Sequence, residues 1–350
     1  MKKFASLLLA LMMIFALAAC GETSEPDANT STAPSENSGT EEAYVTITIT
    51  ADRASDEAQM LMVNSIVERI PAETNGRVQV ELLAPGTMGS LGEMTEGVMY
   101  GTLDMAALPD STSSPYLTRN LDFLNMPGLF DNYDDVEEIL GADGWLGEYI
   151  NEVMEESNMI RLGLCDNGFR TVGSVDKPCV ELSDYAGVKI RVAENQINIF
   201  EFQELGALPV AISSSELLNA LEGGTVDACD QSITNYVSNG IEGTVHYINL
   251  IYDRYSSSSL CMNKDKWDQL TAEDQEIVAK ICSEAAQLQF EASRQIADEY
   301  IETYTANGTW EVSERSASMD AALEEIAVKV VEEFGDLWDP QVVELINEHL

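Results

Sequence analysis

Carboxylates dominate the side chains that could do chemistry in this 350-residue chain, with 61 Asp and Glu against 18 Lys and Arg. Two carboxylates facing one sugar could hydrolyse a glycoside, but acids this common set no pair apart. The motifs of nucleophilic and cofactor chemistry are missing: there is no GxSxG, no GxxxxGK(S/T) and no HExxH. The two histidines, His246 and His349, cannot form a multi-histidine metal site, and penultimate His349 is a poor general base. The expectation is no catalytic residue, no cofactor and no metal, although carboxylates alone could supply an oxygen-ligand site. The ten arginines are more informative. A guanidinium is a planar fork whose parallel N–H donors match the two oxygens of a carboxylate, which a lysine point charge cannot do. In so acidic a chain an arginine is ordinarily a surface ion pair, and such pairs are worth little.

Net charge is −43. A surface of that sign repels phosphate backbones, which argues against nucleic acid. Lys2 and Lys3 precede an apolar run from Leu7 to Leu17, the layout of a secretory signal too short for a comfortable membrane span. The ending Leu17-Ala18-Ala19-Cys20 resembles a bacterial lipobox. Residues 1–19 then read as a lipoprotein signal peptide, with Cys20 as the lipidated first residue of the mature chain. Residues 21–43 hold nothing more hydrophobic than alanine, so 20–43 reads as a lipidated cysteine and a disordered linker. Contact with the membrane would be through the lipid anchor only, on the outer face of the cytoplasmic membrane. Five cysteines remain, an odd number at spacings that fit no disulfide framework.

The elements that must position any site follow an α/β pattern. Val45, Ile47 and Ile49 alternate with threonines, predicting a half-buried strand. Ser55 is the expected cap of a helix with stripe Met60, Val63, Val67 and Ile70, stopped by Pro71. Asn75-Gly76 turns the chain into a second strand through Val78, Val80 and Leu82. Strand, helix, strand at this spacing predicts a parallel pair. Helices are expected around Glu93 to Tyr100 and, unbroken, near Val136 to Met154. A second α/β stretch starts near Leu162, with strands at Lys189 to Val192 and Val210 to Ile212. From about Thr271 a helical pattern runs to Asn307-Gly308 without internal Pro or Gly, about 50 Å at 1.5 Å per residue. A helix that long would exceed the diameter of a small α/β unit and have to span both α/β stretches.

Five stretches, in order, resemble the extracytoplasmic solute-binding protein of TRAP transporters, the family of dicarboxylate and sialic-acid receptors. They are TNGRVQVELLAPGTMGSLGEM (Thr74 to Met94), GTLDM (Gly101 to Met105), GFRTVGS (Gly168 to Ser174), LSDYAGVKIRV (Leu182 to Val192) and LGALPVAISSSELLNALEGGTVDACDQ (Leu205 to Gln231). The resemblance implies an α/β, two-lobe, periplasmic-binding-protein-like clamshell with a long helix spanning both lobes. One lobe would hold residues 44–167 plus 257–296, the other 168–256 plus 297–350. It further implies a receptor that binds a small organic acid anion and delivers it to a TRAP-type membrane permease. The alternatives are a ligand-sensing lipoprotein of the same fold and, further off, a carboxylate-based hydrolase.

By the same resemblance, Arg191 in KIRV matches the arginine that forms a salt bridge with the ligand carboxylate. Arg170 in GFRTVGS matches a second contact, with a salt bridge between the lobes as its structural reading. Gln231 stands where many members carry a ligand-binding asparagine, and Ser214 where sialic-acid receptors carry an aromatic platform. Glu93 matches an acidic position facing the cleft from the opposite lobe; its other reading is a first-turn acid stabilising its own helix. Tyr236 and Arg254 are cleft residues by order alone.

Overall fold

The computed structural model describes residues 44–349, so the signal, Cys20 and the linker lie outside the described residues. Alternation in the first segment becomes β1 (Val45–Thr50), with Ile47 and Ile49 fully buried. The helix Glu57–Glu73 follows, then β2 (Val78–Leu82), which pairs parallel with β1. Two details differ from the sequence expectation. Asp56, not Ser55, caps the helix, accepting from the Gln59 N–H at 2.9 Å, while the Ser55 hydroxyl donates to the Ser238 carbonyl at 3.1 Å. Pro71 also does not stop the helix, which continues to Glu73. Proline removes the hydrogen bond back to residue 67 only, and the last turn can tolerate that loss. Asn75 and Gly76 then turn the chain with φ of 53° and 82°, the left-handed region those residue types enter most easily.

β3 (Met105–Pro109) adds to the other edge of β1, giving the order β2-β1-β3. The expected single helix over 136–154 is two, Tyr133–Leu140 and Trp145–Glu156. Gly141 and Gly144 make the break: a Cβ there would sit 2.4 Å from the Glu137 carbonyl and 2.3 Å from that of Ile139. β4 (Met159–Ser174) then runs through the whole molecule. Its first part pairs antiparallel with β9 (Tyr255–Asn263), which also pairs with β3. Its last part, Arg170 to Ser174, pairs with β7 (Ala228–Ser232). Beyond lie β5 (Lys189–Val192) and β6 (Leu208–Ala211), both parallel to their neighbours, in the order β7-β5-β6. β8 (Tyr247–Leu250) and β10 (Glu311–Glu314) complete the second half-sheet beside β4. The register of β4 shifts between Asp166 and Phe169, with Gly168 at a φ of 84°.

The expected long helix is Ala272–Ala306, 35 residues, with Thr271 capping the Asp274 N–H at 3.2 Å. Its Val278, Ile281, Cys282 and Ala285 share a core with Ile47, Met62 and Leu260 of the first lobe. Further along, Ala297, Tyr300, Ile301 and Tyr304 pack against the core of Tyr236, Ile248 and Trp310 in the second. The helix therefore joins two lobes, as an α/β clamshell requires. The C-terminal segment also reaches back: Trp338 packs edge-on against Phe123 of the first lobe at 6.1 Å between centroids. All five cysteines among the described residues are buried and unpaired.

Candidate functional site

In each half-sheet one strand sits between two parallel neighbours whose connections leave in opposite directions. β1 lies between β2 and β3, and β5 between β6 and β7. The carboxyl end of such a strand is a topological switch point, where the diverging connections leave a crevice. Here both crevices line a single cavity of about 120 Å³. Asp52 and Arg53, just past β1, line it with Arg191 and Ala193 at the end of β5, and Gln231 of β7 joins them. The two walls also touch, through an Arg53 to Asn239 hydrogen bond.

Arg191 is 3% exposed, and its position in β5 aims it along this crevice. Its Nε donates to the Ile212 carbonyl at 2.7 Å, one terminal nitrogen to the Asp230 carbonyl at 3.4 Å and the other to Ser214 Oγ at 3.4 Å. No carboxylate lies within ion-pair distance of it among the described residues. Burial and then the like charge of Arg170 lower its pKa, by more than the nearby Asp230 raises it.

Arg170 lines the same cavity but is already engaged: Nε meets Asp230 Oδ1 at 3.0 Å, and a terminal nitrogen meets Oδ2 at 3.1 Å. The bridge runs from β4 to β7 within the second half-sheet, so the pair does not join the lobes. Arg254, also in the cavity wall, is ion-paired with Asp230 at 3.1 Å, Asp253 at 2.7 Å and Glu201 at 2.8 Å. Burial would raise the Asp230 carboxyl, but Arg170 and Arg254 outweigh it and hold it down at about 2. Glu201 goes the other way: burial, reinforced by Asp253, pushes its carboxyl well up despite Arg254. That arrangement fits an ionised Asp230 between two guanidiniums, with Glu201 the more readily protonated of the two carboxyls.

Gln231 is 2% exposed and its Nε2 has no hydrogen-bond partner among the described residues, a buried donor lining the cavity. Ser214 lines it too, with its hydroxyl against Arg191. Glu93 and Tyr236 do not line it. Glu93 is an exposed helix residue whose carboxylate accepts from the Ser90 N–H at 2.7 Å, closing a capping box that lowers its pKa. Tyr236 is fully buried, its hydroxyl 3.1 Å from Thr171 Oγ1 and its ring against Trp310. The acids on the opposite wall are instead Asp52 and Asp56. The signal that could have found them is position: ADRASD follows directly on the first strand of the fold, where a switch point opens. Five asparagines, at 125, 167, 198, 235 and 239, also line the cavity and carried no motif.

The arrangement can grip an anion between two walls. Comparison with known proteins agrees. The profile described as "Bacterial extracellular solute-binding protein, family 7" matches residues 51–336. Among curated relatives, the 2,3-diketo-L-gulonate-binding periplasmic protein of Escherichia coli is 26% identical over 238 residues, 68% of this chain and 72% of that one. The C4-dicarboxylate-binding periplasmic protein of Rhodobacter capsulatus is 24% identical over 263 residues, 75% of this chain and 78% of that one. Among solved structures, a TRAP periplasmic solute-binding protein of Shewanella oneidensis with bound succinate superposes with a TM-score of 0.78 at 18% identity, covering 87% of this chain and 98% of that one. One from Chromohalobacter salexigens with bound D-glucuronate gives 0.78 at 21%, covering 87% and 100%. Those structures share the two-lobe fold, and the family is one of receptors rather than enzymes. With 286 consecutive residues of the chain matched to one profile, this protein belongs to the bacterial extracellular solute-binding protein family 7.

Proposed function

We propose that the protein is an extracytoplasmic receptor that captures an organic acid anion in the inter-lobe cleft and delivers it to a TRAP-type membrane permease. The observation that carries this reading is Arg191, a buried guanidinium in the cleft of a strongly acidic chain with no carboxylate paired to it. A buried cation is costly unless it meets a counter-ion, and a ligand carboxylate would be that counter-ion. Gln231 Nε2 would donate to the same ligand, with Ser214 and Arg170 beside it. The relatives support the class, since the names above all specify carboxylates. The lobes, taken as 44–167 plus 257–296 and 168–256 plus 297–350, would close on the ligand. The register shift at Asp166 to Phe169 gives the crossing strand a place to bend.

A thermal-shift screen of dicarboxylates, keto acids and sugar acids tests the reading. A ligand that binds only the folded state at a hundredfold excess over Kd stabilises by about 2.7 kcal/mol, so a true ligand should raise Tm clearly. The ligand should be recovered unchanged by mass spectrometry. No shift from any acid in the panel, or a product of different mass, defeats the reading.

The anchor is proposed at Cys20, behind the signal of residues 1–19, which places the receptor on the outer face of the cytoplasmic membrane. Among the described residues no helix is long and apolar enough to cross a membrane. Labelling with an alkyne fatty acid should mark wild type and leave Cys20→Ser unlabelled, because acyl chains supply the membrane affinity. Equal labelling of the two would remove the anchor from the proposal.

A further inference from the structure

We infer that the cleft is built for a hydroxylated acid carrying a single carboxylate and discriminates against a second one, with Asp56 as a specificity-determining residue. This rests on the receptor reading above and narrows it. Four arginines line the cavity, and three of them already have carboxylate partners. Arg170 is paired with Asp230, Arg254 with Asp230 and Asp253, and Arg53 with Asp52. Only Arg191 is left to meet an incoming anion, so one wall has room for one carboxylate.

The other wall repels a second. Asp52 and Asp56 bracket Arg53, two carboxylates to one guanidinium, which already donates to Asp52 and to Asn239 across the cleft. Asp56 has no ion-pair partner among the described residues; one oxygen accepts from the Gln59 N–H at 2.9 Å. Its carboxylate lines the cavity as an acceptor, and burial raises its pKa against the opposing pull of the Gln59 N–H and the nearby Arg53. A ligand hydroxyl can donate to that acceptor, whereas a ligand carboxylate there would meet like charge in a narrow space. The remaining lining fits hydroxyl groups as well. Side-chain amides carry both donors and acceptors, and the five asparagines with Gln231 distribute them around the cavity. Hydroxyls, being donor and acceptor at once, satisfy such a lining where a bare hydrocarbon chain would leave it unpaired.

Three six-carbon probes separate the contributions. D-gluconate has one carboxylate and five hydroxyls, D-glucarate replaces its terminal alcohol by a second carboxylate, and hexanoate removes the hydroxyls. With the full-length protein in detergent, calorimetry should show gluconate binding at least tenfold more tightly than either of the others. Asp56→Asn keeps the helix cap, since Asn caps as well as Asp. It should raise glucarate affinity at least threefold and narrow the gluconate preference, with an unchanged Tm in the absence of ligand. Failure of gluconate to bind, glucarate binding as tightly as gluconate, or Asp56→Asn shifting both ligands equally overturns the inference. If succinate binds while gluconate does not, the inference falls and the receptor reading stands. If no carboxylate of the wider panel binds, the receptor reading itself falls.

Discussion

Arg191→Ala should cost about 2–5 kcal/mol of ligand binding, roughly 30-fold to several-thousand-fold, while the protein remains folded. The size follows from where the guanidinium sits. It is almost wholly buried and no carboxylate among the described residues is within ion-pair distance, so a ligand carboxylate would be its counter-ion. Removing it leaves that carboxylate desolvated and unpaired, which is the costly half of breaking a charge pair. The fold survives because little else depends on this side chain. The Asp230 carbonyl keeps the Arg170 donor at 2.7 Å, while the Ile212 carbonyl loses the bond from Nε and the Ser214 hydroxyl a long one at 3.4 Å. Arg191→Lys should recover part of the affinity, since a point charge replaces the fork. Calorimetry with the acid found by thermal shift decides the matter. An alanine variant within twofold of wild type would show that the ligand is held elsewhere.

Asp230→Asn should destabilise the fold by about 3–5 kcal/mol, the range for removing one partner of a buried charge pair. Asp230 has no exposed surface and holds two arginines at once, with Arg170 at 3.0 Å and Arg254 at 3.1 Å. An amide keeps the shape but not the charge, leaving Arg170 without a paired carboxylate among the described residues and Arg254 with Asp253 and Glu201. The same pair makes a pH prediction. Asp230 is held down at about 2, below the ordinary carboxylate near 3.9, so its contribution is present above pH about 4. That contribution is lost as pH falls from about 4 through about 2. Urea melts of wild type should lose stability over that acid interval, and those of Asp230→Asn should lose less. Glu201→Gln provides the contrast: burial pushes the Glu201 carboxyl well up toward its neutral form, so the amide should cost less stability than Asp230→Asn does. If Glu201→Gln costs as much as Asp230→Asn, Glu201 is not the more readily protonated of the two.

The cleft also shows how far local pattern reaches. β1, the Asn75-Gly76 turn and the 35-residue helix from about Thr271 were all legible, because each depends on periodicity or on turn chemistry within a few residues. Where local signals competed, the reading slipped. Ser55 and Asp56 are both good caps, and only the path of the chain gave the cap to Asp56 and sent the Ser55 hydroxyl to Ser238. Two glycines broke a stretch whose apolar period ran on through them.

The amino-acid sequence by itself determined the charge, the α/β alternation, the motif order of the family and the presence of Arg191 on a strand. The partners of the arginines were decided only by tertiary structure. Arg170 and Asp230 are sixty residues apart and meet because β4 and β7 lie side by side, which no local pattern encodes. The same strand order makes β1 and β5 switch points facing one cavity. It therefore brings Asp52 and Asp56 to the wall opposite Arg191, while the Glu93 carboxylate closes its own helix. Whether a charged side chain is a ligand contact or an internal pair depends on the distance to its nearest opposite charge. That distance belongs to the packed sheet, since the electrostatic energy of two buried groups depends on their separation in space and not along the chain.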